Sequence, residues 1–315
     1  MQAGIIIVGS KNTAAEFNTM KWFIAIFLIL TLTEGAAGGT RTVYDELGRQ
    51  VVVPTDPRRV VALAPSITEI VFALKQEHRL VGVTRFSDYP PAAKRLPTVG
   101  TYIYLDLEKI VSLRPDICIA VKDGNPESVV LRLEALGIPI YAVDPRNMDA
   151  VIETILEIGN LLHETERAEN IANSLRQRID AVIERVSKID RRPKVFFQIG
   201  ISPVVSVGTD TFIHELIDMA GGVNLTAGSV PYPRYSREQV LAMAPEYIMI
   251  TSMARDAEFE SIKAEWNRWP EIPAVKTNRI FIVDSDLFDR ASPRLVDALE
   301  VLVDIIHPQT GEETR

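Results

Sequence analysis

The sequence predicts an α/β protein of two lobes with parallel sheets, joined by a single long helix. Predicted strands and helices alternate before residue 146 and again after residue 193, an alternation typical of parallel sheets covered on both faces. Residues 147–190, which separate the two regions, contain no predicted strand. The chain has 315 residues, a length that suits about two domains of ordinary size.

The first 39 residues have the order of features found in a secretory signal peptide. Lys21 precedes an apolar block at residues 22–32, and small residues follow at 35–39. The block is short for a membrane-spanning helix, and no cysteine directly follows it that could carry a lipid anchor. Met20 can serve as the initiating residue, because residues 1–19 add nothing that a signal peptide requires. We therefore expect a secreted protein, periplasmic or otherwise extracytoplasmic, that starts near residues 37–40.

The predicted N-terminal lobe spans residues 40–162. It opens with a β-hairpin between Val43 and Pro54. The run Ser66–Glu69 has the pattern of a capping box, which predicts a helix that continues to about Leu74. Four apolar runs predict strands buried on both faces, at residues 59–64, 80–83, 117–121 and 140–143. The lone cysteine, Cys118, lies in the third of these runs and is expected to be buried and unreactive.

Residues 163–190 are predicted to form the connecting helix. Apolar side chains repeat along it at three- and four-residue spacing, at Ala168, Ile171, Leu175, Ile179, Val182 and Val186. From Glu164 to Ile189 such a helix would be roughly 39 Å long, which is enough to bridge two lobes. The C-terminal lobe is predicted at residues 191–309, and a tail follows at 310–315.

One helix–strand unit occurs twice. Leu107–Asp116 precedes the predicted strand Ile117–Val121, and Arg237–Glu246 precedes the predicted strand Tyr247–Ile250. Each unit has a glutamate as its second residue, an apolar pair after it, and a proline followed by an acid before the strand. This repetition predicts lobes related by an approximate two-fold axis.

Charge and motifs argue against several classes of function. The net charge is −8 and Lys and Arg are not concentrated anywhere, so the chain offers no basic face for nucleic acid. No phosphate-binding glycine loop and no nucleophile elbow occur. The four histidines are scattered and have no cysteine partners for a metal cluster. We therefore expect no catalytic residues and no metal site. By contrast, loops at 86–91, 100–104 and 232–235 carry aromatic residues that suit a pocket wall.

Three runs of the sequence resemble one protein family, the helical-backbone periplasmic binding proteins of ABC importers for ferric siderophores, heme and cobalamin. The resemblance is carried by Arg59–Leu74, Ser87–Pro91 and Leu107–Asp116 and covers nearly all of the chain after the signal. It implies two Rossmann-like lobes on a rigid backbone helix, and a monomer that delivers its ligand to a permease dimer with its ATPase subunits. It also implies that Glu108 and Glu238, one per lobe, dock onto arginines of the permease, since paired charges at a rim orient docking.

Further motifs, at residues 123–125, 197–203, 236–241 and 288–294, are similar to the cobalamin-binding members. The similarity implies cobalamin or a related corrinoid as the transported ligand, and no resident cofactor. The ligand-binding residues that it implies are Phe86, Tyr102, Val121, Tyr232, Asp286, Leu287 and Arg290. The chain departs from the cobalamin type at four of them, because Tyr102, Val121, Tyr232 and Leu287 stand where that type has tryptophan.

Because of these departures from the cobalamin type, a ferric siderophore and heme remain alternative ligands. A ferric siderophore usually calls for a cluster of cationic side chains, which Arg85, Lys122, Arg234 and Arg290 could supply. A heme protein of this family would offer a tyrosine ligand, and Tyr102 could serve. The competing class of function is an enzyme or a sensory domain on the same fold.

Overall fold

Two four-stranded parallel sheets form the centres of the two lobes. The computed structural model describes residues 39–251 and 259–308; the predicted signal region up to residue 38 and the tail lie outside these residues. The strands are β1 Thr40–Tyr44, β2 Gln50–Pro54, β3 Val60–Ala62, β4 Leu80–Val83, β5 Ile117–Val121, β6 Ile140–Val143, β7 Lys194–Gln198, β8 Val204–Val205, β9 Val223–Asn224, β10 Arg234–Tyr235, β11 Tyr247–Ile250 and β12 Ile280–Ile282.

Both large sheets have the same strand order. The first is β4–β3–β5–β6 and the second is β9–β7–β11–β12, and every neighbouring pair is parallel. When the strands of each sheet are numbered in the order in which the chain forms them, both sheets have the order 2-1-3-4. The second lobe therefore repeats the topology of the first, as the recurring helix–strand unit predicts. The two-lobed α/β fold is confirmed, while the residue boundaries assigned to the lobes stay a prediction. The predicted hairpin is β1–β2, and β8–β10 is a second small antiparallel pair.

Helices cover the sheets on both faces. Their bounds are α1 Pro65–Ala73, α2 Leu107–Ser112, α3 Glu127–Ala135, α4 Met148–Leu161, α5 Thr165–Ser187, α6 Phe212–Met219, α7 Arg237–Met243, α8 Phe259–Trp266, α9 Pro273–Lys276, α10 Ser285–Phe288 and α11 Leu295–Ile306. Short 3-10 turns occur at Glu77–Arg79 and Pro91–Arg95. In the described part of the chain, no helix combines the length and the apolar character that crossing a membrane requires.

Alternate residues of each central strand enter different parts of the core, because successive side chains of a strand point to opposite faces. In β5, Ile117 and Ile119 join a core cluster that extends into the second lobe, whereas Cys118 packs in a separate cluster under α2 and α3. In β7, Val195 and Phe197 face the shared cluster. Burial also raises the pKa of the Cys118 thiol to about 12, so this cysteine is the buried, unreactive residue that the sequence predicts.

The long helix α5 is the element that both lobes share. It has 23 residues, about 34 Å at 1.5 Å per residue, and packs against α4 of the first lobe and against α6 and α11 of the second. Its buried residues are Ala168, Ala172, Leu175, Ile179, Val182 and Val186. The predicted stripe is thus correct except at Ile171, which is only partly buried and has Ala172 beside it as the buried residue.

A glycine permits the tight approach of α4 to α5. A Cβ added to Gly159 would lie 2.3 Å from the Cβ of Ala168 and 3.2 Å from the carbonyl oxygen of Glu164. No side chain fits at that distance, so the two helices can pack this closely only with glycine in α4.

The predicted capping box at Ser66–Glu69 is wrong. Helix α1 already begins at Pro65, and its N-cap, Ala64, has no side chain that could bind a backbone amide. Pro65 suits the first helical position because its fixed φ is helical and the missing N–H would be unpaired there in any case. Ser66 and Glu69 consequently lie inside the helix, and the Glu69 carboxylate is free to bind elsewhere.

Candidate ligand-binding site

A cavity of about 370 Å³ lies between the two lobes, at the carboxyl ends of the parallel strands. Its walls come mainly from the segments that follow β3, β4, β5 and β6 in the first lobe and β7 and β12 in the second. Ligands of open α/β sheets bind at this edge, where neighbouring strands send their connections in opposite directions. The volume is within the range of small-molecule sites. The repeated topology therefore brings the binding edges of two sheets face to face.

The predicted aromatic residues come together in this cavity. Phe86 and Tyr102 line it from the first lobe and Tyr232 from the second. Burial raises the pKa of both tyrosines to about 12, with the nearby carboxylates Asp289 and Asp123 adding to the effect, so both phenols keep their protons at neutral pH. The Tyr232 hydroxyl also donates to Asp123 Oδ2 at 3.3 Å, a contact from one lobe to the other. The site thus has stiff, apolar walls on both sides.

Val121 and Leu287 occupy different surroundings. Val121 lines the cavity at the end of β5. Leu287 is partly buried against the hydrophobic core and is not among the cavity-lining residues. Contact of Leu287 with a ligand therefore stays a prediction that this geometry does not support.

Asp286 and Arg290 both line the cavity, and they bind each other. Arg290 Nη2 donates to Asp286 Oδ1 at 2.6 Å, to Asp88 Oδ1 at 2.9 Å and to the Phe86 carbonyl at 2.8 Å. Its Nη1 donates to Glu69 Oε1 at 2.7 Å. The Arg290 side chain is only 6% exposed. The guanidinium is thus held by three carboxylates, and its charge is largely balanced before any ligand arrives.

The structure adds polar residues that the sequence reasoning missed. Arg146 lines the cavity and pairs with Asp123 at 2.5 Å and Asp144 at 2.6 Å. Asn125 is buried just behind the wall, where it accepts from the amide of Val121 at 2.8 Å and donates to the Tyr102 carbonyl at 2.8 Å. These residues follow predicted strands, so the rule that binding loops lie at strand ends could have indicated them.

Asp289 is the most unusual group of the cavity. The residue is partly exposed, but its Oδ1 atom is shielded from solvent and has no hydrogen-bond partner in the described part of the chain. Burial, with further repulsion from Asp286, raises the pKa of this carboxyl from 3.8 to about 7. Near neutral pH it can therefore donate a hydrogen bond to a ligand as well as accept one.

Glu108 and Glu238 lie outside the cavity, at equivalent places in the two lobes. Each is exposed and is the second residue of a short helix, α2 or α7, that precedes the third strand of its sheet. The helices begin at similar caps, since the side chains of Asp106 and Ser236 each accept from the amide three residues later. A hydrogen bond with Ser236 lowers the pKa of Glu238. Two exposed acids thus mark matching positions on the two lobes.

The remaining cationic residues suggested for an anion site lie elsewhere. Arg85 and Arg234 are exposed and are not among the cavity-lining residues, and Lys122 is bound to Asp144 at 2.6 Å. Within the described residues, no group of three or more His, Cys, Asp or Glu side chains is placed to hold a metal ion.

Known proteins match both the sequence and the fold. A family model described as "Periplasmic binding protein" matches residues 60–287. The vitamin B12-binding protein of Salmonella typhi is 35% identical over 246 residues, which cover 78% of this chain and 88% of the relative. The solved structure of the periplasmic vitamin B12 binding protein BtuF of Vibrio cholerae aligns with a TM-score of 0.70 and 30% identity, over 80% of this chain and 99% of that one.

A periplasmic heme binding protein from Pseudomonas aeruginosa aligns equally well, with a TM-score of 0.73 and 28% identity over 80% of this chain and 94% of that one. The fold is thus common to proteins with different ligands. Because the family model covers well over half of the sequence and the curated relatives exceed 30% identity, the chain belongs to the periplasmic binding protein family.

Proposed function

We propose that this protein is the substrate-binding subunit of an ABC importer and that it carries cobalamin or a related corrinoid in the cleft between its lobes. Members of its family bind substrates rather than transform them. The observation that carries the choice of ligand is the charge of the cavity. Its two arginines, Arg146 and Arg290, are each held by carboxylates, and Asp289 adds a further acid that is paired with neither arginine among the described ion pairs.

This balance of charge favours a bulky ligand whose periphery is neutral and rich in amides, as that of a corrinoid is. Heme carries two carboxylates and ferric siderophores are commonly anionic, so each would need cationic groups that the cavity does not have to spare. The aromatic walls of Phe86, Tyr102 and Tyr232 supply flat contact area for a large ring system. The vitamin B12-binding relatives support the same choice.

Heme binding is the second candidate, and one observation favours it. Tyr102 places a phenol in the cavity, and one of the structural relatives is a heme binding protein. A tyrosine with a pKa near 12 would have to lose its proton to bind iron as phenolate, and the nearby Asp289 opposes that loss.

Calorimetric titration of the purified protein decides between the two ligands. We expect cyanocobalamin to bind with a one-to-one stoichiometry, and hemin to compete poorly for the same cleft. A saturable hemin interaction with no detectable cyanocobalamin binding at tens of micromolar would overturn the corrinoid assignment and leave the transport assignment intact.

Delivery of the ligand would use the two exposed acids. We propose that Glu108 and Glu238 dock onto basic sockets of a permease dimer, because they occupy matching positions on topologically equivalent lobes and a symmetric dimer presents two equal sockets.

Export by the N-terminal segment at residues 1–39 would bring the protein to the periplasm. Mass spectrometry of the protein from the periplasmic fraction tests this, since cleavage near residues 37–40 is expected.

A further inference from the structure

We propose that Glu69 is a positioning residue that fixes how far the ligand cleft opens, by fastening the segment 290–294 of the second lobe onto helix α1 of the first. Glu69 lies on α1 and is not among the residues that line the cavity. It would act on ligand binding only through the residues that it holds. The choice of cyanocobalamin as the test ligand rests on the proposed function, whereas the movement of the lobes can be measured without any ligand.

The carboxylate of Glu69 is almost fully enclosed by donors from the other lobe. Its side chain is 3% exposed. Oε1 accepts from Arg290 Nη1 at 2.7 Å and from Arg294 Nη2 at 2.8 Å. Oε2 accepts from Arg294 Nε at 2.9 Å and from the Ser292 hydroxyl at 2.7 Å. All four donors belong to residues more than 220 positions away along the chain, so the contact holds the tertiary arrangement and not the helix.

The two arginines bind further groups of the first lobe around this centre. Arg290 reaches the Phe86 carbonyl and Asp88, as described above, and the guanidinium carbon of Arg294 lies 3.8 Å from the centre of the Tyr89 ring. One short segment of the second lobe is therefore attached to both α1 and the loop after β4. We call the set Glu69, Asp88, Arg290, Ser292 and Arg294 the latch.

The latch and the cavity share one residue. Arg290 lines the cavity on one side and binds Glu69 on the other. Phe86, an aromatic wall residue, is held through its own carbonyl by the same guanidinium. A shift of the latch would therefore move a wall of the site, although Glu69 itself would touch no ligand.

Energetics favour a role in geometry over a role in stability. Burying a carboxylate and two guanidinium groups costs solvation that their mutual attraction only about repays, so apolar residues in place of all three groups would serve stability as well. The ion pairs instead fix the placement of one lobe relative to the other, because their bidentate geometry is lost on a small rotation of the lobes. Two other hydrogen bonds between the lobes each involve a single donor: Tyr232 donates to Asp123 at the longer distance of 3.3 Å, and the Met148 amide donates to Glu215 Oε2. The latch, in which four donors bind one carboxylate, would therefore limit opening most.

The substitution Glu69→Gln tests the proposal, because it keeps the shape of the side chain and removes the charge. Glu300→Gln is the matched control: Glu300 likewise accepts two bonds from one guanidinium, at 2.9 and 2.7 Å from Arg178, but on the surface between α5 and α11. In the ligand-free protein, amide hydrogen exchange of the segments 65–73 and 286–294 should become at least several-fold faster in Glu69→Gln and remain unchanged in the control. Spin labels on the two lobes should report a wider distribution of distances.

Ligand binding supplies the functional readout. We expect cyanocobalamin to bind Glu69→Gln about tenfold more weakly or worse, mainly through faster dissociation. Arg294→Gln, which changes a latch residue outside the cavity wall, should have a similar effect, and the double variant should be little weaker than either single one.

The proposal would be overturned if Glu69→Gln and Arg294→Gln both kept the exchange rates, the lobe distances and the dissociation rates of the wild type. If Glu69→Gln fails to fold, Arg294→Gln provides the same comparison. If the wild-type protein binds no cyanocobalamin, the corrinoid assignment fails, while hydrogen exchange and spin-label distances still decide whether the latch exists.

Discussion

Replacement of Asp289 by asparagine should change the stability of this protein in a way that depends on pH. The carboxyl has a pKa of about 7 in the folded protein against an ordinary value of 3.8, because burial and the charge of Asp286 oppose its ionisation. Between pH 4 and pH 7 the folded state therefore holds this proton and the unfolded state does not. By linkage, the group costs stability as the pH rises through this window, and the full cost is present above pH 7.

The size of the effect follows from the shift in pKa. Each unit corresponds to 1.36 kcal/mol, so a shift of about three units amounts to about 4 kcal/mol at most. Part of Asp289 is exposed, and its amide replacement must still be accommodated, so we expect Asp289→Asn to be about 2–4 kcal/mol more stable than the wild type at pH 8. Near pH 4, where both side chains are neutral, the two proteins should differ little.

Urea denaturation of the ligand-free proteins at pH 4.5, 6 and 8 measures this difference directly, through the free energy of unfolding. Asp304→Asn is the control, because Asp304 is an exposed acid paired with Arg185 and its replacement should not produce such a trend. A difference between Asp289→Asn and the wild type that is the same at pH 4.5 and pH 8 would refute the reasoning.

Three further predictions concern packing, ligand choice and transport. Gly159→Ala should lower the free energy of unfolding by about 1–2 kcal/mol, because the clash with α5 outweighs the better helix propensity of alanine, whereas Gly228→Ala, where a Cβ meets nothing within 4 Å, should have little effect in the same urea titration. Tyr102→Phe should leave cyanocobalamin affinity within about twofold, since stacking area is kept, while Tyr102→Ala should weaken it about tenfold in calorimetry. Reversing the charge of Glu108 and Glu238 together, with lysine at both positions, should abolish uptake by cells and spare ligand binding.

Each of these expectations has an outcome that contradicts it. Equal stability of both alanine variants would mean that α4 and α5 can move apart without cost. Loss of cyanocobalamin binding in Tyr102→Phe would mean that the phenol oxygen, and not the stacking area of the ring, makes the decisive contact. Weaker ligand binding in the doubly reversed variant would mean that the two glutamates act on the cleft instead of on the permease.

The architecture was predictable from the sequence because it depends on periodicity. Apolar runs of four or five residues and the spaced stripe from Ala168 to Val186 indicate strands and helix without any knowledge of neighbours. The aromatic residues Phe86, Tyr102 and Tyr232 could be found in part, because they lie on loops at strand ends. The same loops also carry Tyr89, Tyr104 and Tyr235, which do not line the cavity, and the sequence does not tell the two groups apart. Contacts between side chains that are far apart in the sequence could not be predicted. Glu69 has the local pattern of a capping residue, and only the folded chain brings Arg294 to it.

The polar part of the site was hidden for the same reason. Asp289 sits in a run of charged residues that has the appearance of an ordinary surface turn. Its altered pKa arises from burial, which the sequence does not report. Leu287 shows the opposite case: its place in a ligand-like motif suggested the cavity, whereas its side chain packs on the core, so its contact with a ligand stays a prediction.

The hydrophobic cluster that extends from β3 through α5 to α11 makes the two lobes halves of one thermodynamic unit. Separating the chain before α5 would leave the inner face of each sheet uncovered, so neither half is expected to be a soluble fragment in isolation. Heating should accordingly produce a single calorimetric transition for both lobes, with equal calorimetric and van't Hoff enthalpies. A protein that melts as one body can still rotate slightly about its long helix, and we expect the opening and closing of the cleft to be confined to such small rotations.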